Sequence, residues 1–147
     1  MTETTVRPLA ESDAARWREL FTAYGVFYET EFTDEVLDRV WTLLVTEGSR
    51  IDGLVAERDG QVVGIAHYRS HPDTFSGGLD WYLDDLFVDP AVRGTGAGRA
   101  LIEAIAEMSA GTGGSLRWIT ADTNETAQAL YDKVATRTRW VTYEVRR

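Results

Sequence analysis

The sequence predicts an α/β (α+β) fold, with a mixed, mostly antiparallel sheet of six to seven strands flanked by about four helices. Two β-rich runs flank Asp59-Gly60, which is a strong signal for a hairpin. Four stretches repeat apolar residues at helical spacing. The resulting order, β-α-α-β-β-β-α-β-α-β, combines an antiparallel meander with helical crossovers, which is typical of a sheet covered by helices.

Length and composition narrow the class of protein. The 147 residues are 44% hydrophobic and 27% charged, which favours one globular domain spanning residues 1–147. The net charge of −9 disfavours general binding to nucleic acid. The absence of cysteine excludes disulfide scaffolds and thiolate zinc sites. The first eight residues lack the apolar core of a signal peptide, and no apolar run approaches the ~20 residues of a membrane span, so we expect a cytoplasmic protein without a membrane partner.

The N-terminal half yields the first elements in order. Residues 3–9 form an opening strand. An apolar stripe from Trp17 to Tyr28 predicts a helix capped by Ser12 or Asp13. Thr33 opens a second helix whose apolar face includes Trp41. The hairpin strands cover residues 54–58 and 61–68, and a loop with one proline and two adjacent glycines follows over 70–78.

The C-terminal half alternates strands and helices. A strand is predicted over 81–88, a helix over 97–110, a strand over 116–120 and a short helix ending near Val134. The alternating residues 140–145 predict a closing strand that pairs across a two-fold axis, and therefore a homodimer. We expect the tryptophans at 41, 118 and 140 to lie in the core.

A glycine-rich turn leads from the 81–88 strand into the 97–110 helix. Free N–H groups at a helix N-terminus bind anions, and Arg93 and Arg99 flank this turn in an otherwise acidic chain. A phosphate or pyrophosphate is therefore the predicted ligand. No Gly-Lys-Ser/Thr follows, and Arg99 stands where a dinucleotide fingerprint needs its third glycine, so neither nucleotide motif fits.

The turn resembles a known family. Arg93-x-x-Gly96-x-Gly98 matches the R/Q-x-x-G-x-G/A signature of the GCN5-related N-acetyltransferases (GNAT). Asp89-Pro90 precedes it at the usual spacing, Tyr82-Leu83-Asp84-Asp85 looks like the Y-L-E-D strand of the family, and the segment from Asn124 to Tyr131 looks like its N-x-x-A…L-Y segment. Within the family, these motifs are most similar to Hpa-type histone/polyamine and diamine acetyltransferases. The residue pair that usually follows the last helix, a glycine and an aromatic, is replaced by Val134-Ala135-Thr136.

The resemblance implies acetyl-CoA as the cosubstrate. With two histidines and no matching carboxylate spacing in the sequence, we expect no metal site. The resemblance assigns cofactor binding to the end of one strand, to the turn and to a cap: Phe87, Val88, Arg93, Gly94, Thr95, Gly96, Ala97, Gly98, Arg99 and Asn124. Tyr131 matches the family tyrosine that protonates the departing thiolate. Asp84 matches the position of the family base. Asp85 is the alternative, and strand alternation places it on the opposite face of the sheet. Which of the two aspartates acts, or whether a water intervenes, stays open.

Two stretches of the sequence combine acidic and aromatic residues into clusters. Both clusters favour a cationic molecule as the acceptor of the acetyl group, because carboxylates attract an ammonium group and ring faces stabilise it. The expected substrate-binding residues come from both clusters: Tyr28, Glu31, Tyr82 and Asp85. The sequence thus predicts transfer of an acetyl group to a primary amine, either a small diamine or polyamine or a lysine-like amino group. Protein lysine or N-terminal acetylation, and a non-catalytic acyl-CoA sensor, remain the alternatives.

Overall fold

The computed structural model describes residues 3–147, and its core is one five-stranded sheet in the order β1-β2-β3-β4-β5. The strands are β1 (Thr5–Pro8), β2 (Asp52–Arg58), β3 (Gln61–Pro72), β4 (Leu79–Val88) and β5 (Gly113–Arg117). The first four form an antiparallel meander, and β5 runs parallel to β4. The helices are α1 (Ala14–Phe27), α2 (Asp34–Val45), α3 (Ala97–Ser109) and α4 (Glu125–Val134). The expected α/β class and four helices are confirmed.

Apolar residues are buried on both faces of this sheet. On one face, α1 and α2 pack onto β2, β3 and β4 through residues such as Trp17, Leu37 and Phe87. On the other face, α3 contributes Leu101 and Ile105, both fully buried, and α4 packs beside it. The strand pattern therefore alternates between two cores, which is why β2 and β3 read as nearly continuous apolar runs.

Two features of β4 shape the surroundings of Asp84 and Asp85. The register between β3 and β4 shifts between His67 and Tyr68, so that β4 carries one extra residue at this point. On its other edge, β4 pairs with β5 only as far as Tyr82↔Arg117. Beyond that pair, the segments that contain β4 and β5 diverge. Residues 83–88 of β4 pair with β3 on one edge, and within residues 3–147 no strand pairs with their other edge.

The expectation of six to seven strands was wrong, because five form within the described part of the chain. Residues 135–147 contain neither helix nor strand, and Trp140, expected in the core, is 82% exposed. Alternation of apolar and polar residues favours a strand with two different faces, but a strand also needs another strand to pair with. The segment that follows α4 does not pair with β5. The β5 edge that faces away from β4 also has no paired strand in residues 3–147.

Several boundaries also differ from the sequence prediction. β5 begins at Gly113 rather than Leu116, because glycines allow close backbone approach: a Cβ on Gly114 would lie 2.5 Å from the Leu79 carbonyl oxygen. β3 continues through to Pro72, and only residues 73–78 form the turn. Asp13 precedes α1, but its carboxylate binds the Arg7 guanidinium and the Ala10 N–H instead of capping the helix. The Asp59-Gly60 hairpin is confirmed, with both residues at positive φ.

Within the described residues, no helix is both long enough and apolar enough to span a membrane.

We predict that Leu101→Ala lowers the free energy of unfolding by about 2–5 kcal/mol, because it leaves a cavity beneath α3. The matched control is Leu43→Ala, which removes a leucine that is 48% exposed on α2. We expect this control to change stability by no more than about 0.5 kcal/mol. Urea denaturation followed by tryptophan fluorescence measures both, and equal effects would contradict the assigned core.

Candidate active site

The β4 irregularity places two carboxylates on one face of the sheet. Asp85 contacts His67, and Asp84 contacts Arg69. These two partners lie two residues apart on β3 and therefore share a face. The expectation that Asp84 and Asp85 point to opposite faces was wrong, because the extra residue interrupts the alternation of β4.

Asp85 lies within a chain of buried hydrogen bonds beneath α1. The Trp17 indole N–H donates to His67 Nε2 at 2.9 Å, and His67 Nδ1 lies 2.9 Å from Asp85 Oδ2. Trp17 and His67 are each 1% exposed, whereas the Asp85 side chain is 25% exposed. The Tyr24 hydroxyl also interacts electrostatically with Asp85. Burial, with a smaller contribution from the Asp85 charge, raises the pKa of Tyr24, so this hydroxyl stays protonated.

Asp84 is engaged differently, because a cation holds both of its oxygens. Arg69 Nε lies 2.9 Å and 3.2 Å from the two carboxylate oxygens of Asp84. The same guanidinium lies over the Tyr82 ring at 4.8 Å. Burial raises the pKa of Tyr82, with a smaller contribution from Asp84. The two adjacent aspartates thus have different surroundings, because Asp84 forms an ion pair with Arg69 while Asp85 hydrogen-bonds to the buried His67.

Tyr131 approaches this region from α4. Its ring packs edge-on against Trp118 at 5.3 Å. Burial raises the pKa of the Tyr131 hydroxyl, and electrostatic interaction with Tyr28 raises it further. Tyr131 also interacts electrostatically with Tyr24. The hydroxyl is therefore protonated at neutral pH and available as a donor near the tyrosines of α1.

The glycine-rich turn is open and leads into the N-terminus of α3. Gly94 and Gly96 adopt φ of +84° and +88°, and no atom lies within 4 Å of a Cβ placed on either. The first N–H groups of α3 lack helical partners, which makes this end a suitable anion site. The Arg93 guanidinium lies 5.6 Å from the Phe87 ring and 5.9 Å from the Phe27 ring, so Arg93 connects the turn to α1.

The other residues predicted to bind the cofactor are distributed around the gap between β4 and β5. Phe87 is buried against α1, and Val88 packs toward α3. Asn124 caps α4, as its side-chain oxygen accepts from the Ala127 N–H at 3.2 Å. Arg99 pairs with Glu103 one turn along α3, so its charge is partly balanced there. Thr95 folds back to donate a hydrogen bond to the Val92 carbonyl.

The structure therefore places Tyr28 and Tyr131 near Tyr24, which interacts with Asp85, and it places Tyr82 near Asp84. Glu31 lies on the exposed segment between α1 and α2. Sequence reasoning grouped Tyr24 with the aromatic residues of the first acidic cluster but did not name it as a binding residue, and it left His67 as a core or surface histidine. Arg69 gave no signal, because its role depends on the register of β3 against β4. No cluster of three or more metal-ligating side chains forms within residues 3–147.

Comparison with known proteins gives concordant results. Residues 14–135 match the model of the acetyltransferase (GNAT) family. The chain is 30% identical over 142 residues to the D-amino-acid N-acetyltransferase HPA3 of Saccharomyces cerevisiae, covering 95% of this chain and 88% of that protein. Its fold is similar to a ribosomal-protein-alanine N-acetyltransferase from Brucella melitensis, with a TM-score of 0.83, 22% identity and coverage of 98% and 99% of the two chains. It is also similar to an aminoglycoside N-acetyltransferase in complex with CoA, with a TM-score of 0.79, 19% identity and coverage of 100% and 97%.

We predict that alanine substitutions at Gly96 and at Gly98 have different effects on the free energy of unfolding. Gly96→Ala forces a Cβ into the left-handed region and lowers the free energy of unfolding by about 1–2 kcal/mol. Gly98 is already helical, and an added Cβ would make ordinary contacts with Leu130 and Val88 at 3.5 and 3.6 Å. Gly98→Ala therefore leaves stability unchanged or raises it by up to about 1 kcal/mol. Urea denaturation measures both, and a loss of stability in the Gly98 variant would contradict this geometry.

Proposed function

This chain belongs to the GNAT family of acetyltransferases, and we propose that it transfers the acetyl group of acetyl-CoA to the primary amine of a small cationic molecule. A diamine, a polyamine or a lysine-like amino group has the required chemistry. The observation that carries the proposal is the cluster of Asp84, Asp85 and tyrosine hydroxyls at the β4 irregularity, beside Tyr131. We further propose that residues 1–147 act as one domain, in the cytoplasm.

The residues present fit acetyl-CoA. The open turn at Gly94 and Gly96 and the free N–H groups of α3 suit its pyrophosphate, with Arg93 and Arg99 as nearby cations. The unpaired edge of residues 83–88 suits an extended polar chain, which pairs there as an added strand would. The Thr120 hydroxyl, just beyond the divergence of β5, is buried without a hydrogen-bond partner in the described structure. When bound, acetyl-CoA supplies the thioester that the amine attacks.

The proposed reaction is a direct transfer within a ternary complex. An amine with an ordinary pKa near ~10 arrives protonated and must lose a proton before it attacks. Asp84 or Asp85 accepts that proton at a carboxylate oxygen. As the N–C bond forms and the C–S bond breaks, Tyr131 donates its hydroxyl proton to the departing sulfur, and the nitrogen gives up its second proton to the tyrosinate oxygen, which restores the hydroxyl. The N–H groups of Phe87 and Val88 are the candidate donors to the carbonyl oxygen.

Support for a cationic amine comes from the charge and the rings around the site. Tyr28 is 46% exposed at the end of α1, so its ring is accessible to a ligand, and it packs at 4.9 Å on the Tyr24 ring, which interacts with Asp85. Glu31 follows on the exposed segment, and Tyr82 lies with Asp84. Carboxylates and aromatic faces together favour an ammonium group over a neutral or anionic one. HPA3 acts, by its name, on D-amino acids, which also present an amine.

We predict release of CoA thiol when the purified protein is given acetyl-CoA and a diamine or polyamine. The panel should contain spermidine, diaminopropane, lysine, D-amino acids, an aminoglycoside and basic peptides, so that a protein acceptor is also tested. A preference for basic peptides would indicate that the acceptor is a protein rather than a small amine. Binding of acetyl-CoA without thiol release from any amine would indicate a sensor and overturn the proposed activity.

We predict that Tyr131→Phe lowers kcat on the order of 10²-fold while the Kd for CoA remains close to that of the unchanged protein. The ring and its packing on Trp118 are kept, and only the proton donor is lost. Tyr143→Phe, which removes a hydroxyl from a tyrosine that is 90% exposed, is the matched control and retains full kcat. Unchanged turnover in Tyr131→Phe would remove this hydroxyl from the mechanism.

We also propose a homodimer in which the segment 140–145 of one copy pairs with the unpaired β5 edge of the other. Its alternating residues Val141, Tyr143 and Val145 are all at least 75% exposed, which suits a strand without a partner in its own chain. Sedimentation of the full chain should give twice the monomer mass. Tyr143→Lys should shift it to monomer, whereas Thr142→Lys, on the other side of the strand, should not. A monomeric unchanged protein would overturn the dimer.

A further inference from the structure

We infer that Asp85 is the carboxylate that accepts the amine proton, and that His67 and Trp17 are positioning residues which hold it ready. This inference rests on the proposed function. It distinguishes two adjacent aspartates that the mechanism above leaves equivalent. Its basis is the hydrogen-bond chain from Trp17 through His67 to Asp85, together with the ion pair that engages Asp84.

The Trp17 indole determines the tautomer of His67. An indole N–H is only a donor, so His67 Nε2, at 2.9 Å from it, must be the acceptor and carry no proton. The ring proton of the neutral imidazole then lies on Nδ1, which donates to Asp85 Oδ2 at 2.9 Å. The order of donors therefore runs in one direction, from Trp17 to His67 to Asp85.

The same indole prevents His67 from serving as a proton relay. A second proton would have to bind Nε2, where it would face the Trp17 N–H with no acceptor between them. Both side chains are 1% exposed, so no solvent is available to separate the two donors. His67 thus remains a neutral donor, and a proton accepted by Asp85 leaves through the exposed part of that carboxylate.

Every element packed around Asp85 contributes an identified polar group. From α1 come Trp17 and Tyr24, with Tyr28 at the end of the helix. From β3 come His67 and Arg69, and Arg69 is engaged by Asp84. From α4 comes Tyr131, which interacts with Tyr24. Among these groups, His67 hydrogen-bonds to Asp85 as a neutral donor and Tyr24 is uncharged, so the negative charge of Asp85 is oriented without being paired to a cation.

A matched pair of His67 variants separates positioning from packing. In His67→Asn, the side-chain amide places an N–H near the former Nδ1 and keeps a donor for Asp85. In His67→Gln, the longer side chain places an amide oxygen near the former Nε2, keeps an acceptor for Trp17 and loses the donor to Asp85. Both variants remove the ring, so both are expected to lower the melting temperature by similar amounts.

We expect His67→Gln to lower kcat on the order of 10²-fold, because a displaced reacting group is costly. His67→Asn should retain most of the activity. In the Gln variant, the acid limb of the kcat/KM profile should also move to higher pH, because a hydrogen bond to the ionised carboxylate is lost. CoA affinity should be unchanged in both. Equal kcat values for the two variants, or an acid limb that does not move, would overturn the positioning role.

Two further measurements complete the test. In ¹⁵N-labelled protein at pH 7.5, we expect NMR to show the His67 proton on Nδ1, with His71, whose side chain is 50% exposed, as the internal comparison. A proton on Nε2 would overturn the inference even if the enzyme acetylates amines. Asp85→Asn should lower kcat more than Asp84→Asn does, and the reverse order would assign the base to Asp84. If the unchanged protein acetylates no amine, the proposed function fails, while the NMR result still reports on the hydrogen-bond chain.

Discussion

The register shift between β3 and β4 is the constraint on which the candidate site depends. One extra residue in β4 rotates Asp84 and Asp85 onto the face that carries His67 and Arg69. Without the shift, strand alternation would direct one carboxylate into the core beneath α3. The register shift thus places two adjacent acidic side chains of β4 on the same face. Asp85 then contacts His67, and Asp84 contacts Arg69.

One continuous face of helix α1 contributes residues both to the hydrophobic core and to the candidate site. Trp17 and Phe21 stack at 5.2 Å and pack against His67, so they belong to the hydrophobic core. Further along the same face, Tyr24 interacts electrostatically with Asp85, and Tyr28 interacts with Tyr131. Because the residues follow one another along a single helix, the orientation of the tyrosines depends on the burial of the tryptophan. Stability and chemistry are therefore coupled at this helix.

An ion pair and a cation–π contact connect the turn that precedes α3 to α1. The Arg16 guanidinium lies 2.7 Å from Asp89, and the Asp89 carboxylate also accepts from the Ala91 N–H. Both contacts hold the pKa of Asp89 below its usual range, with the backbone hydrogen bond as the larger cause. Arg93 adds a contact with the Phe27 ring. The open glycines of the turn are thus flanked by residues anchored to the same helix that carries Tyr24.

The sequence alone determined the fold class, the four helices, the hairpin and the glycine-rich turn, because these depend on local periodicity and on residues with particular backbone preferences. It also identified Tyr131, Asp84, Asp85 and Tyr28 as residues of interest. Tertiary structure alone decided that Asp84 and Asp85 share a face, that Arg69 engages one of them and that His67 and Trp17 support the other. These contacts depend on the register between β3 and β4, and local sequence patterns do not determine that register. The segment 140–145 shows the same limit, since its alternation specifies a strand while the availability of a neighbouring strand determines whether one forms.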